Sequence, residues 1–139
     1  MSGDALVKAA LAARDRAHAP YSRFHVGCAV ESLNGEVAVG ANMENACYRL
    51  GICAEQSALA AAQQAFGLEN VARLVVVGGF ADAGEDIGEA VMPCGGCRQA
   101  IAEAAQLSGR NITVTCHDHR GRNAVSTDIA SLLPAAFSL

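Results

Sequence analysis

Apolar side chains recur at helical spacing from about Asp4, at Leu6, Val7, Ala10, Leu11 and Ala17, and Pro20 stands where such a helix must already have ended. The pattern predicts an amphipathic first helix. Beyond it the period changes to two. Phe24, Val26, Cys28 and Val30 alternate with His25, Gly27, Ala29 and Glu31, and Asn34-Gly35 precedes a second alternating run at Val37, Val39 and Ala41. Alternation on both sides of an Asn-Gly pair predicts a hairpin with a tight turn. From Cys53 to Phe66 the chain is Ala-rich and free of Gly and Pro, and Gly67 follows as a cap, so a second helix is expected with Cys53 in its first turn.

Leu74 to Val77 is a short apolar run flanked by Gly78-Gly79, the pattern of a strand buried on both faces and covered by helices on both sides. Asp82 to Met92 reads as a loop. Pro93 opens a third helix through Ala105, with Cys94 and Cys97 in its first turn. Ile112 to Cys116 alternates as another strand, Gly121 marks a turn before a further short strand, and Ser126 or Thr127 is the expected cap of a final helix ending before Pro134. Helices alternating with strands in this order predict an α/β fold, a three-layer α/β/α sandwich around a mixed five-stranded sheet.

Composition narrows the function. The 139 residues, 52% hydrophobic and 17% charged, suffice for one core, and a single domain spanning 1–139 is expected. A net charge of −4 without any Lys/Arg run argues against a nucleic-acid partner and for a small neutral ligand. Met1 to Arg16 lacks the unbroken apolar stretch of a signal peptide, and no segment is long and apolar enough to span a membrane. The six cysteines are therefore expected in a reducing, cytoplasmic setting, as metal ligands, nucleophiles or core residues rather than disulfides.

Pro93-Cys94-Gly95-Gly96-Cys97 places two thiols three positions apart at a helix start, so both can take corners of a zinc tetrahedron. Cys53, at the start of another helix, can supply a third thiolate and leave the fourth corner open, the arrangement of a catalytic Zn2+. Three thiolates leave the centre with a net charge of about minus one, which the two helix N-termini partly offset. Glu55, two residues past Cys53, is placed to act as general base and acid, moving a proton from the metal-activated water to the substrate. A Cys or His two residues before a Glu, followed by P-C-x-x-C, is the signature of zinc deaminases.

Several separated segments resemble the small, homotetrameric cytidine deaminases of pyrimidine salvage. Pro20 to Gly27 is similar to that family's N-terminal block, Asn42 to Tyr48 to its ribose block, Cys53-Ala54-Glu55 with Pro93 to Gln99 to its zinc block, and Leu132 to Phe137 to its C-terminus. The resemblance implies hydrolysis of cytidine and deoxycytidine to uridine and deoxyuridine with release of ammonia. It implies that Phe24 packs against the pyrimidine, that Asn42 and Glu44 bind the ribose 3′-hydroxyl, and that backbone groups at Ala54 and near Met92 read the cytosine edge. It further implies a homotetramer in which Phe137 enters a neighbouring subunit's site and stacks on the base. The chain departs from the family at Gln56, where three-cysteine members usually carry Arg to offset thiolate charge, and more mildly at Arg49 and Met92.

Other readings of the same residues are a structural zinc site closed by His117 or His119, an aminopyrimidine nucleoside antibiotic as substrate, editing of RNA or DNA, and a non-catalytic zinc module. The first is disfavoured because a strand alternates the directions of Cys116, His117 and His119; a solvated histidine pair beside Asp118 is expected instead. His18 and His25 are expected at the surface or in loops, and Cys28 and Cys116 in the core.

Overall fold

A computed structural model of the protein describes residues 3–139; Met1 and Ser2, with which the single-domain reading begins, lie outside the described residues. The alternating runs form the expected hairpin, β1 (Phe24–Ser32) and β2 (Val37–Ala41), antiparallel with Cys28 opposite Gly40 and Val30 opposite Ala38. Its turn needs a left-handed residue, and Gly35 supplies it at φ 84°. The other edge of β1 pairs antiparallel with β3 (Val71–Phe80), β3 runs parallel to β4 (Thr113–His117), and β4 pairs antiparallel with β5 (Val125–Asp128). The result is a mixed five-stranded sheet in the order β2-β1-β3-β4-β5.

Strand β3 is longer than the apolar run predicted, continuing through Gly78 and Gly79 to Phe80. Val26, His25 and Phe24 of β1 face these three positions, so the ladder offers partners for backbone groups that would otherwise be unpaired. Along β3 the side chains alternate between two cores. Leu74 and Val76 pack with Ala58, Leu59 and Ala62 of α2 (Ala54–Ala65) and with Ile101 and Ala102 of α3 (Gly95–Ser108). Val75 and Val77 face the other way, onto Leu6 and Ala10 of α1 (Gly3–Arg14). Helices therefore cover both faces, giving the three layers.

Two glycines let the helices lie directly on the sheet. A Cβ at Gly40 would sit 2.3 Å from the Ala58 amide nitrogen, and one at Gly27 would sit 2.0 Å from the Ala10 carbonyl oxygen. Neither contact could be relieved without moving a helix, so Gly40 holds α2 against β2 and Gly27 holds α1 against β1.

The helix ends correct the sequence reading in detail. Helix α3 begins at Gly95 with Cys94 as its N-cap, so Pro93 precedes the helix rather than opening it; Gly109, left-handed at φ 69°, ends it. The last helix, α4 (Ile129–Leu132), is capped by Asp128, whose side chain accepts from the Ser131 amide at 2.8 Å. Ser126 and Thr127 instead belong to β5, opposite Thr115 and Val114, because pairing with β4 claims their backbone.

Cys28 and Cys116 are buried, as expected, and burial, with the Glu55 carboxyl adding to it, pushes Cys116 up to about 11. His25 is half-buried within β1 rather than in a loop, its carbonyl accepting from Arg14 Nε at 2.9 Å, while His18 is exposed, as expected, and its backbone bridges to Met43. The expectation of a solvated histidine pair is overturned: His117, Asp118 and His119 are 5%, 0% and 8% exposed. The stretch between β3 and α3 folds back over them, with Gly88 N–H donating to Asp118 and the Gly84 carbonyl 2.7 Å from His119 Nε2. Alternation along β4 could not reveal that cover.

Candidate active site

Helices α2 and α3 end their first turns against one another, and this brings together the three cysteines singled out from the sequence. Cys53 is the N-cap of α2, Cys94 the N-cap of α3, and Cys97 lies in the first turn of α3. Their sulfurs all fall within 4.8 Å of one another, Cys94 and Cys97 at 3.5 Å. Among the described residues no other group of three His, Cys, Asp or Glu side chains converges in this way. His117 Nδ1 lies instead 3.3 Å from the Val76 carbonyl and His119 Nε2 2.7 Å from the Gly84 carbonyl, and neither ring joins the three thiols.

The electrostatics of the thiols differ with position. Cys94 is held below the ordinary thiol range, chiefly because the Cys97 amide, with that of Gly96, points at its sulfur from the open N-terminus of α3. Burial pushes Cys53 and Cys97 up, and the neighbouring acidic groups, Cys94 and Glu55 for the first and Glu55 for the second, push further. Three soft donors that resist shared ionisation on their own, on two helix N-termini, suit a divalent thiophilic ion, and zinc fits this set. Gln56 adds a neutral donor, its Nε2 lying 3.6 Å from Cys97 Sγ. That contact occupies the place where related sequences were expected to carry a cation.

Above the thiols opens a cavity of about 310 Å³, lined by Cys53, Ala54, Glu55 and Cys94 at its base and by Phe24, Asn42 and Glu44 higher up. The volume is that of a small-molecule site. Glu55, in the first turn of α2, is 5% exposed, and burial raises its pKa above the ordinary carboxyl value. Ala54 is fully buried at the first position of the same helix. Phe24 stands at the start of β1 with its ring edge-on to Phe80, centroids 5.0 Å apart, which fixes the orientation it presents to the cavity.

Asn42 and Glu44 are held in place by β1 and the turn before it. The Asn42 amide extends the hairpin, accepting from the Val26 amide at 2.9 Å and donating to the Phe24 carbonyl at 2.8 Å. Glu44 receives the Ser22 hydroxyl at 2.5 Å and the amides of Ser22 and Tyr21 at 3.1 and 3.0 Å; the hydroxyl and these amides hold its carboxyl below the ordinary range. Ser22 was quoted from the sequence only as part of a longer block. Its place in the lining, like those of Val26 and Val91, follows from the way the chain closes on itself, and a period-two pattern carries no signal for it.

Phe137 is set apart from this chain's own cavity. It is 68% exposed, and its carbonyl accepts from Gln99 Nε2 at 3.1 Å and Gln106 Nε2 at 3.4 Å on the outer side of α3.

Comparison with known proteins places these features in context. The family model described as the cytidine and deoxycytidylate deaminase zinc-binding region matches residues 2–115. A cytidine deaminase of Halalkalibacterium halodurans is 38% identical over 138 residues, 99% of this chain and 96% of the relative. The crystal structure of a cytidine deaminase from Burkholderia pseudomallei superposes with a TM-score of 0.83 at 38% identity, covering 99% of this chain and 100% of that one. One from Mycobacterium tuberculosis superposes with a TM-score of 0.75 at 33% identity, covering 100% and 99%.

Proposed function

The chain belongs to the cytidine deaminase family, and from that premise we propose which of its residues carry out the hydrolysis of cytidine to uridine and ammonia. The observation that supports the assignment is the convergence of three thiols from two helix N-termini beside a buried carboxyl at the base of one cavity. Cys53, Cys94 and Cys97 hold zinc, which supplies the Lewis acidity that lets water act as a nucleophile near neutral pH.

Glu55 moves the protons. Its carboxylate takes one from the attacking water and delivers it to the ring nitrogen beside the attacked carbon; it then takes the proton of the newly added hydroxyl and passes it to the amino group, so that the C–N bond breaks, ammonia leaves and the carbonyl of uridine forms. Burial that favours its protonated form suits a group that must accept and return a proton in each turnover. Phe24 packs on the pyrimidine, Ala54 and the backbone near Met92 read the cytosine edge, and Asn42 and Glu44 take the ribose 3′-hydroxyl. Glu44, kept ionised by Ser22 and Tyr21, is a ready acceptor for that hydroxyl.

Deoxycytidine is a second substrate in this reading, since the ribose contacts named here spare the 2′-hydroxyl. The protein acts as one domain and assembles as a homotetramer in which Phe137 stacks on the base in a neighbour's site. Its 68% exposure, and the exposed apolar Tyr48 and Met43 close to the cavity, support an assembled state. All six cysteines are free, which supports the cytoplasm as location. Ammonia release from cytidine, deoxycytidine, cytosine and a cytosine-containing oligonucleotide tests the reading. Turnover is expected with the two nucleosides alone, and turnover of the oligonucleotide at a comparable rate refutes it.

A further inference from the structure

The stretch from Ala81 to Cys94 contains neither helix nor strand, yet it ends on the cavity wall at Val91 and Met92 and leads directly into the cysteine that caps α3. A segment without a ladder of its own is held only by what other elements lend it. Here the lender is the turn between β4 and β5. Asp118 Oδ2 accepts from the Gly88 amide at 3.0 Å, and Asn123 Nδ2 donates to the Gly88 carbonyl at 2.9 Å, so that residue is gripped on both sides. Arg122 Nη2 donates to the Asp86 carbonyl at 2.9 Å, and the Val91 amide donates to the His117 carbonyl at 3.2 Å.

Asp118 is the hub of this contact. Its Oδ1 accepts from the amides of Arg120 and Arg122 at 2.9 and 2.8 Å, and Arg122 Nε lies 3.3 Å from Oδ2. The side chain is completely buried. Burial opposes its charge, but the amides of Arg122, Gly88 and Arg120, with the Arg122 guanidinium, outweigh that and hold it at about 2. One ionised carboxylate thus ties the turn to the loop, and it has no part in the proton transfers assigned to Glu55.

We propose that Asp118 is a positioning residue for the nucleoside site: by binding Gly88 it fixes the loop that carries Val91 and Met92, and so sets the wall against which the base is placed. The proposal rests on the reading of the cavity as the cytidine site. A loosened wall weakens binding of ground state and transition state alike, so its mark is a raised KM with little change in kcat.

Asp118→Asn keeps the size of the side chain but has one acceptor oxygen where two are needed. In the zinc-loaded protein it is expected to raise KM for cytidine about tenfold with kcat within about threefold, the loss of one charge-assisted bond. Hydrogen exchange of the segment 82–92 should accelerate about tenfold while β1 and β3 keep theirs. Asn123→Gly is the second variant. It removes the bond to the Gly88 carbonyl, but glycine suits the left-handed backbone at φ 54°, so folding is spared. A KM raised about threefold with faster loop exchange is expected there. A KM within twofold of the parent in both variants overturns the proposal, as does a fall in kcat with unchanged KM. Unchanged loop exchange in both overturns it whatever the substrate, whereas failure of the parent itself to deaminate cytidine refutes only the functional reading.

Discussion

Replacing Glu55 by Gln tests the chemistry most directly, because the amide keeps the shape of the side chain and its capacity to hydrogen-bond but cannot carry a proton. General acid–base catalysis typically contributes about 10² to 10⁴-fold, or about 2.7 to 5.4 kcal/mol at 1.36 kcal/mol per decade. The structure points to the upper part of that range. Among the described residues the only other carboxylate in the cavity lining is Glu44, and its oxygens are engaged by Ser22 and Tyr21 and held ionised, so no second acid or base stands ready. A kcat lowered about 10³ to 10⁴-fold is expected, with zinc content and melting temperature preserved. Burial disfavours charge on Glu55 by more than the hydrogen bonds from its own amide and from Cys97 favour it, so a neutral isostere that can still accept a hydrogen bond costs the fold little. Glu55→Asp, which keeps the carboxyl but withdraws it by one methylene, should fall between parent and Gln, about 10²-fold down. The assay is ammonia release at equal zinc occupancy, with metal analysis and thermal melting on the same samples. Turnover of Glu55→Gln within about tenfold of the parent refutes the proton-transfer role.

Phe137→Ala should raise KM for cytidine without changing zinc content, and verified mixed assemblies of Phe137→Ala with Glu55→Gln chains should recover activity; no recovery sinks the shared site. Gln56→Leu removes the N–H that points at Cys97 Sγ and should weaken zinc binding about 10- to 100-fold in chelator competition, an unchanged affinity showing that the contact is idle. Asp118 also predicts an acid limb in stability. Its carboxyl is depressed from 3.8 to about 2, so its stabilising contribution, of the order of 2 kcal/mol, is fully present above pH 4 and lost as pH falls towards 2. Urea unfolding of the parent and Asp118→Asn should show a gap that narrows below pH 4, while the acid lability of the thiol ligands, common to both, cancels. A gap constant down to pH 2 contradicts the assignment.

What was legible along the chain was what depends on near neighbours. The hairpin at 24–41 follows from a period of two and an Asn-Gly turn, and α2 from an Ala-rich run closed by a glycine that the structure finds at φ 87°. The spacing of Cys94 and Cys97 is likewise local, because positions three apart lie on one side of a helical turn, and Glu55 is kept near Cys53 by the two-residue separation along the chain. The first-turn setting of the thiols was therefore readable to within one residue.

Only the tertiary structure decided the rest. That Cys53 meets Cys94 and Cys97 depends on α2 and α3 lying on the same face of the sheet, with Gly40 admitting the α2 backbone to within a Cβ of β2. The length of β3 was set by its partner, since pairing with β1 carried the strand through two glycines that a propensity reading stops at. The burial of His117, Asp118 and His119 came from a loop some thirty residues distant in sequence folding over them, and polar residues at a strand end look the same in the sequence whether covered or bare. Local patterns report which way a side chain points from its own element; whether another element comes to meet it is settled by the packing of the whole sheet, and that is where a buried carboxylate acquires its partners.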